Sequence, residues 1–206
     1  MLFAVLLLSN FYMRSLIVLA TLLFVAACGS NDQKSEPGRL SSSRPLAKSA
    51  NSDSFNTDFR KIMSAYYNLQ DGFVNENDTT IERSAQLLMT SVDSLTKHQL
   101  VADTGIIATA QTYTLGISSE LKGLLGEKEL EEKRKSFQMV SDQLYDLIRT
   151  VQYDREIIYH LYCPMAFNGQ GANWLSKAAL FRNPYIPKKM ISCGEVKDSI
   201  DFRTRQ

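Results

Sequence analysis

The chain has 206 residues, 22% of them charged, and its 23 Lys and Arg nearly balance its 22 Asp and Glu. This balance, and the lack of a basic segment interleaved with aromatic residues, exclude a nucleic-acid-binding protein that depends on a positive field. The length is sufficient for one domain with a sizeable hydrophobic core.

Residues 1–27 have the features of a secretory leader and are not expected to belong to the fold. Arg14 precedes an apolar run, Leu16–Ala27, that is shorter than the ~20 residues of a membrane span. The run ends in Val25-Ala26-Ala27-Cys28, which matches the lipobox of bacterial lipoproteins. We therefore predict that Cys28 is acylated and becomes the N-terminus of the mature chain.

An acylated Cys28 would anchor the chain to a membrane and place the rest of it outside the cytoplasm. Gly29 rather than Asp follows Cys28, so the outer membrane is favoured over the inner one, with the chain facing the periplasm or the exterior. Residues 28–52 are rich in Ser and poor in large apolar residues, which predicts a flexible tether. The start codon is either Met1 or Met13.

Four amphipathic patterns follow, over about residues 53–152. In each pattern apolar residues recur every three or four positions, which places them on one face of a helix. Four such helices joined by short loops are best buried as an antiparallel four-helix bundle, so the predicted fold is mainly α. The predicted core positions are Phe55, Phe59, Ile62, Tyr66, Leu69 and Phe73, then Ile81, Ala85, Leu88, Val92 and Leu95, then Ile106, Ala110, Tyr113, Ile117, Leu121 and Leu124, then Leu130, Phe137, Val140, Leu144, Leu147 and Val151, with Met63, Met89 and Met139 as core filler.

The pattern changes in the C-terminal tail, about residues 153–206. The segment Glu156–Cys163 (EIIYHLYC) is rich in β-branched and aromatic residues and lacks a helical period, which predicts a strand. From Pro164 onward the chain is rich in Gly and Pro, which predicts loops that pack against the bundle. The expected anchors are Phe167, Trp174, Leu175, Phe181 and Tyr185.

The tail also concentrates soft donor atoms. Thiolates and thioethers are soft ligands that select Cu(I) and similar ions. On a regular strand Cys163 and Met165 would point to the same side and His160 to the other. Met190 and Cys193 are three residues apart, a spacing that one face of a helical turn can share. The sequence therefore predicts a Cu(I) or Ag(I) site with ligands Cys163, Met165, Met190 and Cys193, and with His160 as an additional candidate.

The same cysteines suit a second interpretation. Cys163 and Cys193 are the two that remain after lipidation, and disulfides persist outside the cytoplasm. A bridge between them would close a loop of about 30 residues and stabilise the fold by roughly 3–4 kcal/mol in the chain-entropy model. The two interpretations are compatible, since a labile disulfide could mask a copper site. Structural zinc fits the spacing less well, because one nearby His and no second Cys pair are present.

Enzymatic chemistry is not expected. The sequence has no nucleophile elbow, and its two histidines are far apart, which disfavours a Ser/His/Asp triad. A thiol pair of Cys163 with His160 is disfavoured because strand geometry turns the two side chains apart.

A set of short motifs in the tail resembles a known bacterial family of domains of unknown function. The motifs are Tyr162-Cys163-Pro164-Met165-Ala166, Gly171, Trp174-Leu175-Ser176, Asn183-Pro184-Tyr185 and Met190-Ile191-Ser192-Cys193-Gly194-Glu195-Val196. The resemblance covers about residues 53–200 and is most specific over 159–196. Pro187 is a departure, because the family commonly has a glycine there.

Members of that family occur as lipoproteins or secreted proteins, and appended to periplasmic adaptor subunits of copper/silver-type heavy-metal efflux systems. The resemblance therefore implies a soft-metal-binding lipoprotein that acts in metal tolerance or with components of an efflux system. The alternative is a structural or protein-interaction module that a Cys163–Cys193 disulfide stabilises.

Overall fold

The computed structural model describes residues 51–95, 100 and 102–203. The predicted leader, the lipidation site Cys28, both candidate start codons and most of the predicted tether lie outside these residues. Within the described ranges, no helix combines the length and the hydropathy that a membrane span requires.

Four long helices form the larger part of the described chain, which confirms the predicted mainly α fold. They are α1 (Asp53–Val74), α2 (Asp78–Asp93), α3 (Thr104–Gly126) and α4 (Leu130–Val151). Each helix packs against the next in chain order, as in an antiparallel bundle with short connections.

Local chemistry explains where the first three helices begin. The side chains of Ser52, Asn77 and Asp103 accept hydrogen bonds from backbone N–H groups in the first turns of α1, α2 and α3. Such caps satisfy donors that have no partner within the helix.

Most of the predicted core positions are buried. Each of the four helices contributes fully buried members of its predicted stripe, for example Phe59, Leu88, Leu121 and Leu144. Ile106 is an exception, because 36% of its surface remains exposed at the start of α3. The periodicity therefore located the inner face of each helix.

The prediction for the three helical methionines is right for Met63, which is fully buried, and wrong for Met139, which is 46% exposed. Met89 is partly buried against the core. Phe137 and Val140 face the core three positions apart, and Met139 lies out of phase with them. Met139 therefore lies on the outer face of α4.

The tail contains more strand than the sequence predicted. Three described strands, β1 (Ile158–Cys163), β2 (Ala172–Ser176) and β3 (Glu195–Ile200), form an antiparallel sheet in the order β2-β1-β3. The sequence predicted β1 and treated the rest of the tail as loops. Two short helical turns connect the strands, α5 (Ala166–Gly169) and α6 (Pro187–Met190).

Pro187 and Gly171 have identifiable roles in the tail. Pro187 occupies the first turn of α6, where its fixed φ suits a helix start. Gly171 has φ +81°, and a Cβ at this position would collide with the ring of Tyr162. Glycine is therefore required immediately before β2.

Aromatic and aliphatic side chains hold the tail against the bundle. Trp174, Leu175 and Tyr185 are at most 2% exposed, and the ring of Tyr185 lies 5.9 Å from that of Phe137 on α4. Phe167 and Phe181 are partly buried against the same core. The bundle and the tail thus share one hydrophobic core.

Candidate metal-binding groove

A disulfide joins the end of β1 to the segment just before β3. Cys163 ends β1 and is bonded to Cys193, with the two Cα atoms 5.6 Å apart. Cys163 is fully buried, and Cys193 is partly buried against the core. The structure thus contains the Cys163–Cys193 bond, which was one of the two interpretations that the sequence left open.

A surface groove of about 670 Å³ lies between the turn 165–169 and the loop 186–190. We call it the methionine groove, because Met165 and Met190 lie on its two walls. Its lining comprises Met165, Phe167, Asn168, Gly169, Ile186, Pro187, Lys188, Lys189 and Met190, with Glu76, Glu131 and Arg134 from the bundle.

Both methionines of the groove are accessible to solvent. Met165 is 52% exposed and Met190 is 45% exposed, although methionine is usually a core residue. The expectation that Cys163 and Met165 share one face depended on a regular strand, and β1 ends at Cys163. Met165 instead precedes the turn α5 with φ −91° and ψ −8°, so it is exposed while Cys163 is buried.

The disulfide connects the two walls of the methionine groove. Met165 follows Cys163 by two positions, and Met190 precedes Cys193 by three. The covalent bond therefore links the chain just before the first wall to the chain just after the second wall. The bond is thus one of several constraints on the two walls, together with the pairing of β1 with β3.

Asn183 fixes the loop that forms the second wall. Its amide Nδ2 donates to the carbonyl of Cys193 at 2.9 Å, and its Oδ1 accepts from the N–H of Tyr185 at 2.8 Å and of Ile186 at 3.1 Å. Asn183 is fully buried, so these bonds are sheltered from water. The Asn-Pro-Tyr motif therefore positions the groove.

Ion pairs form the polar side of the groove. Arg134 donates from Nη2 to Glu76 at 3.1 Å and from Nε to the carbonyl of Pro184 at 3.0 Å. Lys188 also pairs with Glu76. Hydrogen bonds from Lys188 and then Arg134 hold the pKa of the Glu76 carboxyl below its ordinary value. Glu76 thus connects the bundle to the wall that carries Met190.

His160 lies outside the groove lining. Its imidazole stacks on Tyr145 of α4 with a centroid distance of 4.1 Å, and the Tyr145 hydroxyl donates to Asp198 on β3 at 2.8 Å. Burial lowers the pKa of His160. The structure thus places Met165 and Met190 in one groove next to the disulfide, and places His160 against the bundle.

Part of this site carried no signal in the sequence. Glu76 and Arg134 are ordinary charged residues of a loop and a helix, and three-dimensional packing brings them to the tail. Asn183 belonged to a recognised motif, but its hydrogen bonds to the loop could not be read from the motif. The described residues contain no group of three or more His, Cys, Asp or Glu side chains that could hold a metal ion.

Residues 62–156 match a family of proteins of unknown function, DUF3347. The matched residues run from the third turn of α1 to the segment after α4 and make up rather less than half of the chain. The Cys, Met and Asn-Pro-Tyr motifs of the tail lie beyond them. No curated protein and no solved structure matches the chain. The comparisons therefore show similarity to DUF3347 across the bundle.

Proposed function

We propose that the protein is a non-enzymatic, lipid-anchored module of the cell envelope that binds Cu(I) or Ag(I) in the methionine groove. The observation that supports this proposal is the pair of half-exposed thioethers, Met165 and Met190, on the two walls of one groove. Each lies within three residues of a cysteine of the disulfide.

The donor atoms suit a soft monovalent ion. Thioether sulfur is uncharged and soft, so it binds Cu(I) or Ag(I) without losing a proton and has little affinity for hard cations. In the oxidised protein, Met165 and Met190 are the sulfur donors of the groove. Reduction of the Cys163–Cys193 bond by an external dithiol, itself oxidised to a disulfide, would add two thiols at the ends of the walls.

A role in heavy-metal tolerance follows from this chemistry. An envelope protein that takes up Cu(I) or Ag(I) would lower the free ion concentration or pass the ion to an efflux system. The resemblance of the tail motifs to domains on metal-efflux adaptors supports this role, as does the lipobox at Cys28.

A competition titration tests the proposal. The full chain, oxidised and reduced, is titrated with Cu(I) against a chromophoric chelator. We expect Met165→Leu/Met190→Leu to weaken binding by at least about tenfold, since leucine keeps the volume and removes the sulfur. Met139→Leu is the matched control, because Met139 is as exposed as Met190 but lies on α4. It should bind like the parent protein.

Two results would contradict the proposal. One is that the oxidised and the reduced parent protein both leave the chelator fully loaded. The other is that the Met165→Leu/Met190→Leu protein binds as tightly as the Met139→Leu control. For the contribution of the thiols, Cys163→Ser/Cys193→Ser should remove any gain in affinity that reduction produces.

The closed disulfide favours a second candidate function, a protein-interaction module. In this case the methionine groove receives an extended segment of a partner protein. The apolar walls suit an apolar side chain, and the exposed Lys188 and Lys189 at the rim suit a neighbouring carboxylate.

Selection from a random peptide library tests this candidate. Peptides that bind the oxidised chain should combine an apolar residue with an acidic one and lose at least about tenfold in affinity to Met190→Glu. Leu180→Glu is the control, because Leu180 is 65% exposed and lies outside the groove lining. Equal binding to both variants would contradict a peptide site in the groove.

A further inference from the structure

A second cavity, of about 530 Å³, lies between α1 and the segment that follows α4. We call it the tyrosine pocket. The α1 side is one helix face, because its residues are three or four positions apart. These residues are Thr57, Arg60, Lys61, Ser64 and Tyr67.

Two other segments complete the tyrosine pocket. Tyr153, Arg155 and Glu156 come from the chain between α4 and β1, and Lys177 directly follows β2. Side chains from three separate segments thus converge on one concave surface. Convergence of polar groups on one cavity is typical of ligand sites.

Two buried tyrosines form the inner part of the pocket. Tyr67 is 7% exposed and Tyr153 is 1% exposed, and the Tyr67 hydroxyl donates to Glu156 at 3.5 Å. The ring of Tyr153 stacks on Phe59 at 4.7 Å, which fixes its position in the core. The tyrosines are therefore rigid, and their polar ends lie next to the Glu156 carboxyl.

Basic side chains predominate in the lining. Four cations, Arg60, Lys61, Arg155 and Lys177, accompany a single carboxylate, that of Glu156. The ammonium of Lys177 lies 4.7 Å above the ring of Tyr67. Arg60 lies beside Tyr153, where its guanidinium opposes the rise in the pKa of that phenol. Arg60 and Lys177 thus contact tyrosines.

The other two cations, Lys61 and Arg155, pair with carboxylates that do not line the pocket. Lys61 pairs with Asp58 at 2.7 Å, and Arg155 pairs with Asp53 at 2.6 Å and with Asp154 at 3.4 Å. The positive charge available to a ligand therefore comes mainly from Arg60 and Lys177.

We propose that the tyrosine pocket binds the phosphate group of a small organic phosphate. A phosphate presents several acceptor oxygens, which match the guanidinium of Arg60 and the ammonium of Lys177. The hydroxyl group of Ser64 on the same helix face offers a further donor. The cavity is larger than a phosphate ion, so it leaves room for the organic part of the ligand.

Protonation of Glu156 should be coupled to phosphate binding in the tyrosine pocket. Burial raises the pKa of its carboxyl, while Lys177, Tyr67, Arg60 and Tyr153 oppose the rise. The acidic groups nearby, Asp53, Asp58 and Asp154, are engaged with Lys61 and Arg155. A bound phosphate would repel the ionised carboxylate, so binding favours its protonated form. Through Glu156, binding therefore takes up a proton and strengthens as the pH falls. Below about pH 6, protonation of the phosphate itself opposes this gain.

The test is a calorimetric titration of the full chain with glycerol 3-phosphate, and with glycerol as the ligand that lacks phosphate. We expect Arg60→Gln and Lys177→Gln each to weaken phosphate binding by about tenfold. Lys135→Gln, which removes an exposed cation of α4, should leave it unchanged. Glu156→Gln should bind more tightly than the parent protein near pH 7.5, and this advantage should shrink as the pH falls and Glu156 of the parent protein becomes protonated.

The variants are expected to change phosphate affinity in opposite directions, which distinguishes loss of ligand contacts from damage to the fold. Loss of a fold would weaken every variant, whereas Glu156→Gln is expected to strengthen binding. If Arg60→Gln does not fold, Lys177→Gln carries the test, since this side chain is exposed. Absence of binding by the parent protein up to about 10 mM, or equal losses in Lys177→Gln and Lys135→Gln, would overturn the proposal.

A second ligand distinguishes the source of the phosphate. Dihexanoyl phosphatidic acid, used below its micelle concentration, has the same phosphate monoester on a lipid. Binding at least about tenfold tighter than glycerol 3-phosphate assigns the site to a lipid headgroup, and equal binding assigns it to a soluble phosphate ester. In either case the loss in Lys177→Gln should be the same.

Discussion

The hydroxyl of Tyr66 on α1 accepts a hydrogen bond from the backbone N–H of Leu175 on β2 at 2.9 Å. The same hydroxyl lies 2.8 Å from Oγ of Ser141, which itself donates to the carbonyl of Phe137. Tyr66 therefore donates to Ser141, and one buried hydroxyl joins α1, α4 and the sheet. Burial raises the pKa of Tyr66 far above its ordinary value, so the phenol stays protonated.

Tyr66→Phe should destabilise the protein by roughly 1–3 kcal/mol, because the buried N–H of Leu175 loses its partner. Urea unfolding followed by circular dichroism measures this loss. Tyr113→Phe on α3 is the control, since Tyr113 is partly exposed, and it should change the free energy of unfolding much less. An equal effect of the two substitutions would show that the Leu175 bond contributes little.

Loss of the Cys163–Cys193 bond should lower the free energy of unfolding by roughly 3–4 kcal/mol, the value expected for a loop of this length. Urea unfolding with and without a reductant measures the effect. Reductant should not change the midpoint of the Cys163→Ser/Cys193→Ser variant. A shift in that variant as large as in the parent protein would mean that reductant acts elsewhere.

Stability should fall as the pH decreases from 7 to 5, in part through His160. Burial lowers the pKa of the folded imidazole below 6.5, despite Asp198 and Asp146, which raise it. Protonation therefore favours the unfolded chain. The contribution of His160 to stability is complete above about pH 6.5 and is lost as the pH falls through the pKa of the folded protein.

The variant His160→Phe isolates this contribution. Phenylalanine can keep the stacking on Tyr145, and Nε2 of His160 is buried without a hydrogen-bond partner. Thermal unfolding at pH 7 and at pH 5 should show a smaller loss of stability in His160→Phe than in the parent protein. A parallel decrease in both proteins would assign the acid sensitivity to other groups.

The free energy of unfolding should fall more when the two partners of Lys133 are neutralised than when Lys133 itself is replaced. Lys133 is 1% exposed and pairs with Asp78 at 2.5 Å and Glu82 at 3.1 Å, which are both more than half exposed. Burial lowers its pKa, but the hydrogen bonds that it donates to these carboxylates raise it more. The double substitution Asp78→Asn/Glu82→Gln leaves a buried cation and should cost roughly 1–3 kcal/mol.

Lys133→Met is the matched comparison. It removes the buried charge and leaves two carboxylates in contact with water, so its cost should be smaller than that of the double substitution. Urea unfolding of the three proteins at neutral pH decides the matter. A larger loss in Lys133→Met would mean that the lysine stem contributes more through packing than through charge.

The helices could be predicted because their signal is local and periodic. Phe59, Leu88 and Leu144 repeat with their neighbours at helical spacing, and the structure buries each of them. Met139 lies beside the predicted stripe of α4 but out of phase with it, and the prediction that it fills the core is wrong. The position of a residue within the helical repeat therefore predicted burial more reliably than its hydrophobic side chain did.

The strands β2 and β3 could not be predicted in the same way. Each has five or six residues, and their pairing with β1 depends on chain segments that are far apart in sequence. β3 contains Glu195, Lys197 and Asp198, whose charges are typical of loops. Pairing with β1 stabilises these segments as strands.

The candidate site was predicted in part. Its sulfur residues stood out because cysteine and methionine are rare and occur in motifs. The sequence left open whether Cys163 and Cys193 bond to each other, since that depends on their distance in the fold. Glu76 of the groove and Lys177 of the tyrosine pocket gave no signal, because packing alone brings them to their sites.

The bond between Cys163 and Cys193 gives the chain around the methionine groove one resistance and one sensitivity. Heat and denaturant weaken the packing and the hydrogen bonds around the groove, whereas they leave this covalent bond intact until it is reduced. A reductant, in contrast, breaks the bond in a chemical step that heating does not replace. The covalent link beside the groove therefore persists or is lost according to the redox potential of the compartment in which the protein resides.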